Sequence, residues 1–213
     1  MRYSLLILRP ELMKRFICEQ NIANFRRLLV EASDPAKRTA LERLLASYNR
    51  ELALLDAEEI GADATPIPQQ RKQPVDAAAV RDEFLPHFEH SPHPYLLLDP
   101  GPGLRIADVN AAYLTATFTE RGAILGKSLF DVFPDNPDHA LADGVNNLYS
   151  SLRTVATTGR PHAMAVQRYD IRDAAGKFVE RHWQPINAPI HDAQGKLVFL
   201  LHHVEDVTDQ VVG

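Results

Sequence analysis

Apolar side chains recur at three- and four-residue intervals through the first part of the chain: Ile22, Phe25, Leu28 and Leu29, then Leu41, Leu44, Leu45, Tyr48, Leu52 and Leu55. That spacing holds them on one face of an α-helix and predicts two helices over residues 10–59. Pro10 and Glu11 suit the start of the first. Ser33 or Asp34 can cap the second, and Pro35 fits its first turn, where a missing N–H is no loss. Helices separated by so few residues must fold back as a hairpin. Phe16, Tyr48 and Leu54 exceed what one facing helix covers, so residues 1–60 are expected to form an association region. Residues 61–74 carry three prolines and no period, and are expected to be an extended linker.

Residues 75–213 change rhythm. Val80, Phe84, Leu85 and Phe88 mark a short amphipathic helix. Tyr95 to Leu98 reads as a strand ended by Asp99-Pro100-Gly101-Pro102-Gly103, a turn by composition, and Leu104 to Val109 as a second strand. Short helical segments follow at residues 111–118, 120–125 and 129–133, with Gly126 a helix stop. A longer helix spans residues 145–157. Three strands then cover residues 163–172, 178–190 and 196–207, joined by turns that each hold Asp and Gly. Both alternating sets of the last strand are apolar (Leu197, Phe199, Leu201 and Val198, Leu200), which places it centrally with both faces buried. Asn110, between a strand and a helix, can bond orphan backbone donors.

Composition narrows the class. The 213 residues are 45% hydrophobic and 24% charged, an ordinary globular mix. The longest apolar run is about five residues, against the roughly 20 needed to cross a bilayer. A cytoplasmic protein is therefore expected, with no membrane partner. One cysteine, Cys18, rules out an internal disulfide framework and a multi-cysteine zinc site. The net charge is −5, and residues 75–213 hold 11 basic against 18 acidic side chains. No dense basic face exists for a phosphate backbone, so no nucleic-acid partner is expected.

Two strands, small helices, one longer helix and three strands imply an α+β fold: a five-stranded antiparallel sheet with helices on one face. The stretches HSPHPYLLLDPG, LRIADVNAAYLTAT, ILGKSLFDVFPDNP and ERHWQPINAPIHDAQGKLVFLLHHVEDVTD, in that order, resemble the PAS sensory domain. Asp206-Val207-Thr208 looks like that family's closing Asp-(Ile/Val)-Thr signature. The resemblance covers about 120 residues, and it implies a sensor or docking module with a pocket between sheet and helices. Residues implied at the pocket are Tyr113, Phe133, Leu148, Leu152, Arg168, Tyr169, Trp183, His202 and His203. Asp206 and Thr208 would couple the sheet to a flanking helix, though an ordinary strand-ending cap explains them equally.

The resemblance also constrains cofactors. A thiol-linked flavin needs a cysteine in the core, and residues 75–213 contain none, so that chemistry is excluded. A haem ligand would have to be His139, whose neighbours Asp135, Asp138 and Asp143 favour a solvated loop instead. The ligand stays unknown. His202 and His203 are adjacent in a strand, point to opposite faces and cannot hold one metal together; a core histidine plus an interface histidine is the favoured reading, and no metal site is expected. Trp183 packs or stacks on a planar ligand. Arg168 either holds an anion or pairs with Glu180, the latter preferred.

No nucleophile–base pair, phosphate loop or His-Glu-x-x-His motif gives an enzyme a residue to rest on. The expected function is a stand-alone PAS regulator, homodimeric through residues 10–59 and the sheet face near residues 75–88. It would signal through the amino-terminal hairpin, the dimer surface or a separate partner protein, as in two-component systems, since only five residues follow Thr208 and no outgoing helix is expected. The rival readings are a non-catalytic or truncated relative of a sensor histidine kinase, and a small-molecule enzyme using the cavity.

Overall fold

The computed structural model describes residues 10–62, 77–139 and 141–213. Most of the expected linker (63–74), the residues at 75–76 and the side chain of Leu85 lie outside the described residues. Helix α1 runs Pro10–Glu31 and α2 Pro35–Glu59. Asp34 caps α2, its carboxylate accepting from Ala36 N–H at 3.1 Å, with Pro35 in the first turn. The hairpin is zipped by buried Cys18, Ile22 and Leu41 and by the Phe25 and Tyr48 rings, 5.5 Å apart. Arg15 of α1 reaches Asp56 and Glu59 at the far end of α2.

After α3 (Ala77–Glu89) come strands β1 (Tyr95–Leu98) and β2 (Ile106–Val109), then helices α4 (Ala111–Thr117), α5 (Arg121–Ile124), α6 (Leu129–Val132) and α7 (Gly144–Thr158). The chain continues through β3 (His162–Ala163), β4 (Gln167–Arg168), β5 (Ile171–Arg172), β6 (Phe178–Val179), β7 (His182–His191) and β8 (Leu197–Asp206), and ends in α8 (Thr208–Val212). The antiparallel sheet has the order β2-β1-β8-β7-β3, with β4 also pairing β7. As expected, β8 is central, between β1 and β7.

Four local expectations are corrected. Residues 163–172 form three short strands rather than one, because long-range bonds bend the chain between them. Tyr169 N–H goes to Arg181 carbonyl, and Asp170 is held by Arg168 and Asn136. Residues 178–190 split likewise, with β5 and β6 forming a separate ribbon. Regular alternation in β8 fails at its start. A bulge opposite Ile190 and His191 sends Leu197 to the helix side and Val198 to the other. Finally, a helix does follow Thr208: α8 occupies Thr208–Val212.

Helices also lie on both sheet faces. The main core joins α4–α7 to the inner face through Leu96, Leu98, Leu152, Val155 and Leu200. On the outer face α3 lays Phe88, with Val80 and Phe84, over Leu97, Val198 and Phe199. The outer face, expected to be covered by residues 75–88 or a second subunit, thus carries the chain's own helix α3.

The hairpin is built into this core. Ala53 and Ala57 of α2, one turn apart, let it approach α7 closely, and both are buried with Ala62 in the main core, where Leu54 also packs. Gly61 adopts φ +67° against the β1–β2 turn, where a side chain would collide with Gly101 carbonyl. Ala62 N–H bonds Pro100 carbonyl at 3.0 Å, and Tyr149 hydroxyl donates to Gly61 carbonyl at 3.3 Å. Residue 60 therefore marks no gap between two cores.

Candidate functional site

Between the helices and the inner sheet face lies a cavity of about 50 Å³. Several elements place its walls. Tyr113 comes from α4, Leu148 from α7, Trp183 and Pro185 from β7, His202 and Val204 from β8. Phe133 follows α6, and Gln167, Tyr169 and Ile171 arrive from the broken third strand, whose alternation points these three inward. Tyr113 and Phe133 rings meet edge to face at 6.0 Å, as do Tyr113 and His202 at 6.2 Å.

The wall is held by specific bonds. Trp183 Nε1–H donates to Tyr169 carbonyl at 2.8 Å, and Tyr169 hydroxyl donates to Phe133 carbonyl. Gly144 opens α7 without a side chain because the Tyr169 ring fills that space. Asn110 caps α4 through Tyr113 N–H at 3.0 Å and accepts a second N–H, from Tyr95, at 2.9 Å.

A buried polar chain runs from the cavity outward. His202 Nδ1–H donates to Asn187 Oδ1 at 2.7 Å, and Asn187 Nδ2 donates to Ser151 Oγ at 2.7 Å. Ser151 in turn meets His162 Nδ1 at 2.8 Å. Because the amide oxygen of Asn187 can only accept, His202 carries its proton on Nδ1. Burial disfavours its cation, and the nearby His203 adds to this, so its pKa falls to about 3. His202 Nε2 and the Tyr113 hydroxyl have no hydrogen-bond partner among the described residues. Burial pushes the Tyr113 phenol well above its usual value. Neither group is charged near neutral pH.

Of the nine residues expected at the pocket, six line it: Tyr113, Phe133, Leu148, Tyr169, Trp183 and His202. Three do not. Leu152 is fully buried one turn further along α7, within the core. Arg168 points outward, with Nε 3.0 Å from Asp170 and Nη2 3.0 Å from Glu180, the ion pair preferred above. His203 faces the outer sheet side beside Tyr95 and His93. His139 sits in the loop before α7, away from the cavity wall. Asp206 accepts from Thr208 N–H at 2.9 Å and pairs with Arg181, while Thr208 hydroxyl accepts from His182 N–H at 2.9 Å. These two residues thus lock the end of β8 to the start of β7 and launch α8. Sequence reasoning missed Ser151 and Asn187; uncharged polar residues such as these show no pattern, and only their burial marks them.

Among solved structures, the fold is similar to a Rhodobacter sphaeroides LOV protein (15% identity, TM-score 0.47, covering 61% of this chain and 68% of that one). It is also similar to the PAS domain of Bordetella pertussis BvgS (20%, 0.45, 62% and 90%) and to that of the fruit-fly ELK potassium channel (14%, 0.42, 60% and 96%). No curated protein matches the chain. A family model described as PAS fold matches residues 88–212, more than half of the sequence, and the chain belongs to that family.

Proposed function

We propose that the protein is a sensor whose PAS cavity takes a small uncharged molecule, and that occupancy is passed through α7 and the helical hairpin to a second copy of the chain or a signalling partner. The carrying observation is the wall itself: aromatic and aliphatic side chains surround two uncharged polar groups, His202 Nε2 and Tyr113 hydroxyl, that are unbonded among the described residues, none of which brings a charge to the wall. That chemistry suits a ligand with an apolar body and one or two hydrogen-bonding atoms. A volume of about 50 Å³ is room for a few waters at about 10–15 Å³ each, but is far below the ≈300 Å³ lower end of drug-sized sites. The ligand therefore has few heavy atoms. Haem or flavin would require the wall to move.

Transmission is supported by α7, which offers Leu148 to the cavity and packs against Ala53 and Ala57 of α2 on another side. Leu12, Met13, Phe16 and Ile17 leave an exposed apolar strip on α1 that supports a homodimer. Native mass spectrometry of protein from its own cells should show a small adduct that is absent in Leu148→Trp, which fills the cavity. Analytical ultracentrifugation should show a dimer weakened by Phe16→Glu. No adduct, with a monomer at tens of micromolar, refutes the proposal.

A further inference from the structure

On the sheet face opposite the cavity, the register of β1 and β8 gathers three metal-binding side chains. Tyr95 pairs with His203. Two residues further in each direction, His93 stands across from Glu205, and side chains two apart in extended chain share a face. His93 Nδ1 lies 3.5 Å and His203 Nε2 3.8 Å from the same carboxylate oxygen, Glu205 Oε1. Ligand atoms of all three lie within 4.8 Å of one another. The two imidazoles meet edge to face with centroids 5.4 Å apart.

Among the described residues no hydrogen bond explains this gathering. His203 Nε2 is buried and has no hydrogen-bond partner among them, a condition rare enough in folded proteins to need a cause. The backbone that presents His93 is fixed from both sides. Its N–H donates to Ser91 Oγ at 3.1 Å, and its carbonyl accepts from Asn110 Nδ2 at 2.8 Å. The His93 and Glu205 side chains remain 54% and 49% exposed, so an ion can arrive from solvent.

We propose that His93, His203 and Glu205 form a site for a divalent transition-metal cation, Zn²⁺ foremost, with water completing the coordination. Two histidines and one carboxylate are a known zinc ligand set with an open position. Imidazole favours Zn²⁺, Ni²⁺ or Cu²⁺ over Ca²⁺ and Mg²⁺, which need more oxygens. Tetrahedral zinc bonds set ligand atoms about 3.3 Å apart. The two spacings to Glu205 are already near that, and rotation of the exposed His93 closes the third. A bound ion would tie the loop before β1 to the end of β8, beside Asp206 and Thr208.

Calorimetric titration of the chelator-stripped full chain with Zn²⁺ tests this. One ion per chain is expected, with affinity at least about tenfold weaker in His93→Gln and in Glu205→Gln and unchanged in His191→Gln. Both informative residues are exposed, so folding survives their replacement, and Co²⁺ absorption bands should be lost in the same two variants. Absence of binding, or Zn²⁺ affinity unaltered by either His93→Gln or Glu205→Gln, overturns the assignment.

Discussion

Asn110→Ala should be the most damaging single polar substitution in the fold. The side chain is fully buried and spends all its bonding capacity on backbone. Its oxygen accepts from Tyr95 N–H at 2.9 Å and Tyr113 N–H at 3.0 Å. Its amide donates to the carbonyls of His93 at 2.8 Å, Phe88 at 3.1 Å and Ser91 at 3.4 Å. One residue thus joins the end of α3, the loop before β1, β1 itself and the start of α4. Losing the α4 cap costs about 1 kcal/mol. Leaving Tyr95 N–H and the His93 carbonyl without partners in a closed site adds about 1–3 kcal/mol. The total is about 2–4 kcal/mol, or a Tm lower by roughly 4–16 °C for a chain of this length. Urea denaturation at unchanged m-value measures it. Asn110→Asp separates the two halves of the argument, since it keeps the acceptor but sets a carboxylate oxygen against the three carbonyls. It should be about as unstable as the alanine variant. A loss under about 1 kcal/mol in Asn110→Ala would refute the account.

Two further outcomes follow from burial. Leu200→Ala, on the central strand with no exposure, should cost about 2–5 kcal/mol; an unchanged urea midpoint would mean that the strand can collapse into the void. His202 has its pKa lowered from 6.5 to about 3, so below pH 6.5 the unfolded chain takes up a proton that the folded chain refuses. Stability should therefore fall as pH drops through that window, by up to about 1.4 kcal/mol per pH unit from this group. His202→Gln should remove that part of the slope, and equal slopes for both proteins in urea titrations would rule the mechanism out.

Much of this architecture is written locally. The leucine stripes and Asp34-Pro35 specify the helical hairpin, and the Asp–Gly turns specify the β5–β6 and β7–β8 hairpins. The doubly apolar β8 announces its central place. Inward alternation of Gln167, Tyr169 and Ile171 was readable although the strand carrying them breaks, because side-chain parity survives a kink that long-range bonds impose. What could not be read depends on partners distant in sequence. Ala53 and Ala57 look unremarkable in a helix until α7 lies against them. Arg168 and His203 were assigned to the pocket without knowing which face each would take. His93 approaches Glu205 only through a register that neither segment encodes alone.

Because the described contacts of α2 with the main core gather in its C-terminal half, from Arg50 to Ala57, the hairpin is a lever. Its last two turns are set into the core at Ala53 and Ala57, while Pro35 lies at the opposite end. From Ala53 back to Pro35, at 1.5 Å per residue, the arm is roughly 27 Å, so tilting its root by about 5° sweeps the tip through about 2 Å. Sub-ångström adjustments of α7 against the sheet would emerge at the hairpin tip magnified several-fold, far from any chemistry that caused them.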